Sequence, residues 1–136
     1  MNNISKEYIK WLENEQWDLI GTLGFHKRTG KGSGRLQIVD CFKKVNDRKY
    51  NYRIEGVWIS EVSSNKILHY HFVSKLISNN ESLNKNGALN DVKNRIFNYW
   101  KNKGSCHLAV FDGNKGNWVS YIFKEIDEND FEYDLI

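Results

Sequence analysis

The stretch Glu61-Val62-Ser63-Ser64-Asn65-Lys66-Ile67-Leu68-His69-Tyr70-His71-Phe72-Val73 reads as two β-rich segments joined by a turn. Side chains alternate along a strand, so His69 and His71 share one face while Leu68, Tyr70 and Phe72 share the other. Ile54 to Val62 alternates in the same way, and the turn formers Ser63 to Lys66 between the two runs predict an antiparallel hairpin. Centring the turn near Asn65 pairs Glu61 with His69, Ser60 with Tyr70, Ile59 with His71 and Trp58 with Phe72. Opposed residues have Cβ atoms about 5 Å apart, and the diagonal from Glu61 to His71 lies within about 8 Å, which a glutamate spans. Two imidazoles and one carboxylate are therefore expected to converge, a donor set suited to a divalent metal. The other face would carry Trp58, Val62, Leu68, Tyr70 and Phe72 as core. A slip of one residue would lose both the core face and the ligand face, so the two patterns select the same register.

The 136 residues suffice for one core and are too few for two, and with 14% aromatic residues, five Trp among them, core material is ample. A formal charge of +3 and a pI of about 8.8 permit a nucleic-acid partner without requiring one. Cys41 and Cys106 stand far apart with no Cys-x-x-Cys, which argues against a disulfide framework or a zinc ribbon and for a reducing compartment. No run approaches about 18 apolar residues. The segment Met1-Asn2-Asn3-Ile4-Ser5-Lys6-Glu7 also lacks a signal-peptide layout, so a soluble cytoplasmic protein with no membrane partner is expected.

Before the hairpin, Ile4, Tyr8, Trp11 and Leu12 have helical spacing, and Trp17 to Phe25 reads as a buried strand. The segment His26 to Arg35 is basic and glycine-rich. It falls short of a nucleotide-binding P-loop, because five residues rather than four separate Gly24 from Gly30 and Gly32 follows Lys31 where Ser or Thr belongs. Lys27, Arg28, Lys31 and Arg35 are its candidates for phosphate-backbone contact, a plain solvated loop being the alternative. From Arg35 to Lys49 the residues Leu36, Val39, Phe42 and Val45 predict an amphipathic helix, with Cys41 as a packing residue. After the hairpin, Leu89, Val92, Ile96 and Trp100 predict another helix, and Cys106 to Phe111 a strand in which His107 reads as a surface histidine. Asn114 to Asp127 predicts a final helix, and the acidic tail to Ile136 an edge strand.

The inner order is β-α-β-β-α-β, the split βαβ or ferredoxin-like arrangement, so the expected class is α+β: a central antiparallel sheet, helices on one face and a C-terminal helix. In that last helix Tyr121 and Lys124, three apart, share a face. The order of Thr22-Leu23-Gly24-Phe25 on a strand, Glu61 before His69-Tyr70-His71, and Tyr121-x-x-Lys124 on a late helix resembles the nuclease domain of the HUH endonucleases that initiate rolling-circle replication. The resemblance covers roughly residues 17 to 127. It implies one HUH-type nuclease domain over residues 1–136; the helicase domain into which viral relatives often continue is not expected, a departure from them. His69, His71 and Glu61 would be the metal ligands, Tyr121 the nucleophile and Lys124 an assisting cation.

The implied reaction is metal-dependent nicking and rejoining of single-stranded DNA at a replication origin through a 5′-phosphotyrosine link, with Mn²⁺ or Mg²⁺ as cofactor. Host helicase and polymerase would be the further partners, the host cytoplasm the location for a viral or plasmid protein, and the assembly a monomer or homodimer. Gly24 departs from the family, many members having Thr or a polar residue there. Two alternatives are a single-tyrosine transposase of the same superfamily and a non-catalytic nucleic-acid module like an RNA-recognition fold, which would leave Glu61, His69 and His71 without a task. A 2H-type phosphoesterase lacks its second His-x-Ser/Thr motif, and a cupin barrel conflicts with the helical periods.

Overall fold

The computed structural model describes residues 3–111 and 132–136. Along the chain lie α1 (Asn3–Asn14), β1 (Leu19–Gly24), α2 (Lys31–Val45), β2 (Tyr52–Val62), β3 (Leu68–Ser78), α3 (Lys85–Trp100), β4 (Cys106–Val110) and β5 (Tyr133–Leu135). The class is α+β, a five-stranded antiparallel sheet in the order β4-β1-β3-β2-β5. The β2–β3 register is the one the alternation selects, with Glu61 opposite His69, Ile59 opposite His71 and Trp58 opposite Phe72. Its turn is closed by Ser63 N–H to the Ile67 carbonyl (3.0 Å) and Lys66 N–H to the Ser63 carbonyl (2.8 Å). Lys66 takes a left-handed conformation there, φ 62°.

Alternation divides the sheet into two apolar faces. Leu19, Leu23, Trp58, Leu68, Tyr70 and Phe72 face α2 and α3. Ile20, Val57, Ile59 and Val73 face the other way and pack with Leu12 and Trp17. The face opposite α2 and α3 is thus partly covered by α1 and the residues after it. The C-terminal helix expected over Asn114 to Asp127 lies outside the described residues.

The apolar face of α2 differs from the expected one. Leu36 is 74% and Val39 43% exposed, whereas Ile38, Cys41, Phe42 and Val45 are buried. Gly34 accounts for the rotation: a Cβ there would lie 2.5 Å from both Leu68 Cδ2 and the Tyr70 hydroxyl, so the helix backbone rests directly on β3. Counting from Gly34, the buried positions fall at i+4, i+7, i+8 and i+11. The same contact extends the helix into the glycine-rich segment, so Lys31 to Arg35, expected in a loop, are its first turn. Cys41 is a packing residue, and burial pushes its thiol up to about 12.

Trp100 links this core to the end of the sheet that carries the histidines. It is fully buried; its indole N–H donates to the Gly24 carbonyl (2.8 Å) and its ring lies 5.1 Å from that of Phe25. Trp100→Ala is therefore expected to cost about 3–5 kcal/mol. Urea unfolding checks this, with Trp100→Phe, which keeps most of the volume, losing clearly less. At the sheet's edge the predicted acidic strand is present: Ser60 N–H donates to the Glu132 carbonyl, Glu132 N–H to Ser60 Oγ, and Ile136 N–H to the Gly56 carbonyl. No described helix is long and apolar enough to cross a membrane.

Candidate metal and nucleic-acid site

Directly opposed residues of adjacent strands share a face, so His107 (β4), Thr22 (β1), His71 (β3), Ile59 (β2) and Tyr133 (β5) form one row across the sheet. The next row holds Gly24, His69 and Glu61. Both rows lie on the face opposite α2 and α3. His71 occupies the centre, its Nδ1 3.0 Å from Thr22 Oγ1 and its Nε2 2.5 Å from Glu61 Oε2. A carboxylate only accepts, so toward ionised Glu61 the Nε2 carries a proton, and in the neutral ring the Thr22 hydroxyl donates to Nδ1. Glu61 reaches along the diagonal rather than straight across to His69.

His69 is set differently. Its Nδ1 lies 3.1 Å from the Ile67 carbonyl, which can only accept. In the neutral ring the proton is therefore on Nδ1 and the lone pair on Nε2, the form in which imidazole binds a metal while its other nitrogen is held by a backbone carbonyl. The ring lies over Gly24, where a Cβ would come 2.8 Å from His69 Cδ2 and 3.3 Å from its Nε2. A Thr at position 24 would displace this ring. The residue that departs from the resembled pattern is thus the one the histidine needs.

The expected convergence of three ligands is met for two. Glu61 and His71 are in contact, while His69 leans toward β1, and among the described residues no three His, Cys, Asp or Glu side chains gather as a metal centre would require. The donor types still fit a divalent ion: one imidazole with its Nε2 lone pair set by the Ile67 carbonyl, a second imidazole whose Nε2 would become a donor with its proton moved to Nδ1 and donated to the Thr22 oxygen, and a carboxylate against it. No protein-family model, curated protein or solved structure matches this chain. The site is therefore argued from its own residues.

The four basic candidates do not form one loop. Lys27 and Arg28 are exposed in the connection after β1, which leaves the sheet beside Leu68 and His69. Lys31 opens α2. Arg35 is turned toward the chain itself, its guanidinium 3.3 Å from Glu132 and 2.7 Å from Asp134 and lying 5.3 Å over the Trp58 ring. Tyr121 and Lys124 lie outside the described residues.

Three other tyrosines are poor nucleophiles by environment. Burial pushes the phenols of Tyr52, Tyr70 and Tyr99 up, with a hydrogen bond to Asp91 adding for Tyr52 and one to Asp40 for Tyr99. Two residues of the site row were not singled out as functional in the sequence, His107 and Tyr133. Strand alternation gave each a face, but only the pairing of β4 with β1 and of β5 with β2 brings them into line with His71.

Proposed function

We propose that this protein nicks and rejoins single-stranded DNA through a tyrosine nucleophile, in the manner of the HUH endonucleases that initiate rolling-circle replication. The observation that carries the proposal is the contact of Glu61 with His71 on the central strand, with His69 in the next row presenting an Nε2 lone pair. The β-α-β-β-α-β order with β4-β1-β3-β2 neighbours supports reading the core as a ferredoxin-like domain with one added edge strand.

In the proposed reaction the Tyr121 oxygen attacks a backbone phosphorus, a P–O bond to tyrosine forms, and the bond to the 3′ oxygen breaks. The phosphate stays on the protein as a 5′-phosphotyrosine ester and the other fragment leaves with a 3′-hydroxyl. Rejoining is the same exchange in reverse. Lys124 would favour the phenolate, since a tyrosine hydroxyl with an ordinary pKa of about 10 is a weak nucleophile. His69, His71 and Glu61 would hold Mn²⁺ or Mg²⁺, which when bound neutralises phosphate charge. Replication by this route would draw its helicase and polymerase from the host.

The test is incubation with single-stranded oligonucleotides in Mn²⁺ or in EDTA. Cleavage in the first alone supports the proposal, and none in either overturns it. The exposed Tyr133 ring on the same face favours a second reading, a non-catalytic sheet that stacks bases; binding that persists without any cleavage selects it.

Backbone contacts should show in the salt dependence of binding. Removing Lys27 or Arg28 should lower the slope of log K against log salt by about 0.7 each on single strands. Arg35→Ala should lower it less, because that guanidinium is already engaged by Glu132 and Asp134. Fluorescence anisotropy over a salt series measures all three.

A further inference from the structure

A concavity of about 360 Å³ opens on the histidine-bearing face where α1 meets β2 and β5. Trp11 and Trp17 form its aromatic wall, Gly56 contributes backbone, and Glu55, Lys75, Leu135 and Ile136 complete the lining. The Trp11 ring is 42% exposed and is braced edge-on by Trp17 at 6.0 Å. Trp17 in turn is buried and donates its indole N–H to the Leu12 carbonyl at 2.6 Å. Trp11 is thus an exposed ring on a fixed support, the form a stacking platform takes.

The polar groups have opposite hydrogen-bonding capacity. Glu55 and Lys75 are opposed across β2 and β3, yet Glu55 pairs with Arg53 (2.8 Å) and Lys75 with Glu15 (3.1 Å) instead of with each other. A carboxylate that only accepts and an ammonium that only donates are therefore held at the pocket wall by separate supports. Guanine has the complementary edges, N1–H and N2–H₂ to donate and O6 and N7 to accept.

The path from the candidate metal site is also marked. Lys75 follows His71 by four residues on β3, about 13 Å along the strand. Tyr133, 46% exposed, stands in the row of His71, and Leu135, 63% exposed, lies between that row and Lys75 on the same face of the edge strand. We propose that this pocket binds a guanine base of the single strand, stacked on Trp11 with its edges read by Glu55 and Lys75, a few nucleotides from the Glu61–His71 pair. The proposal rests on the reading of this face as a single-stranded DNA surface.

The experiment uses the full chain in EDTA, where no cleavage intervenes. Fluorescein-labelled oligothymidylate and the same strand with one central dG are titrated by anisotropy. Wild type should bind the dG strand about fivefold more tightly. Trp11→Ala should weaken binding of that strand about tenfold, within what one stacked base contributes, while Glu55→Gln should erase the dG preference and replacement of dG by inosine should reduce it. If Trp11→Ala loses its circular-dichroism signature, the surface variants Glu55→Gln and Lys75→Gln decide the matter.

Equal binding of both strands by wild type, or a preference unchanged in Glu55→Gln and Lys75→Gln, overturns the assignment. Competition by free GMP at oligonucleotide concentrations overturns it too, by showing a nucleotide site rather than a strand site. A dG preference that depends on these residues in a protein without nicking activity leaves the pocket standing and removes only the nuclease reading. Nicking with no such preference removes only the pocket.

Discussion

His71→Ala is expected to abolish Mn²⁺-dependent cleavage of single-stranded DNA, a loss of at least about a hundredfold, with the fold retained. The imidazole sits on the central strand and contacts both Thr22 and Glu61, so its removal takes away one donor and releases the other. Residues that merely orient metal ligands are worth about 10–100-fold in affinity. A ligand should exceed that, and Thr22→Val, which deletes only the hydroxyl, should fall within it. Glu61→Ala should be milder than His71→Ala, because water can take a carboxylate's place on the ion. Calorimetric titration with Mn²⁺ separates these outcomes. An affinity unchanged when His69 and His71 are both replaced by alanine would remove the metal site altogether, and circular dichroism of the same samples guards against misfolding.

Tyr121→Phe should eliminate the covalent protein–DNA adduct while single-stranded DNA binding persists, because the change deletes one oxygen and keeps the ring. Buried Tyr70 lies on the opposite face of the sheet, and burial raises the phenols of Tyr52 and Tyr99 away from the range in which they ionise. Tyr133 is the proper comparison, since it shares the row of His71 with Ile59 between them. Wild type and Tyr133→Phe should therefore both acquire the label from an oligonucleotide labelled on the 3′ side of its cleavage point, and Tyr121→Phe should not. A label lost in Tyr133→Phe and kept in Tyr121→Phe would transfer the nucleophile to the edge strand. Cleavage without any adduct would instead identify a nuclease that uses water.

The hairpin was legible because two independent patterns, apolar alternation and the spacing of Glu61, His69 and His71, demand one register, and β2 and β3 adopt it. The rotation of α2 was not. Leu36, Ile38, Val39, Cys41, Phe42 and Val45 offer apolar side chains around much of the helix, and the choice among them is made by the contact of Gly34 with Leu68 and Tyr70, which no local pattern contains. Gly34, which reads as a loop former, is here the condition for close packing, a case of tertiary contact overriding propensity. At the site, strand alternation gave the face of each ligand but not the direction of each ring. Whether His69 leans toward Glu61 or toward Gly24 depends on the missing side chain of Gly24 and on the Ile67 carbonyl. The engagement of Arg35 was hidden for a simpler reason: its partners, Glu132 and Asp134, are 97 and 99 residues away in sequence.

That engagement bears on how copies of the protein behave toward one another. β2 is eleven residues long, and among the described residues its outer side pairs with the short segment 132–136. Uncovered, such a side is a template on which a second molecule can add a strand of its own. The segment that caps it is too short to offer much of a template in turn, and it carries Glu132 and Asp134, like charges that oppose the edge-to-edge approach of two copies. Arg35 fastens this cap from the helical side. A residue first read as a contact for DNA thus holds in place the short strand that covers this edge.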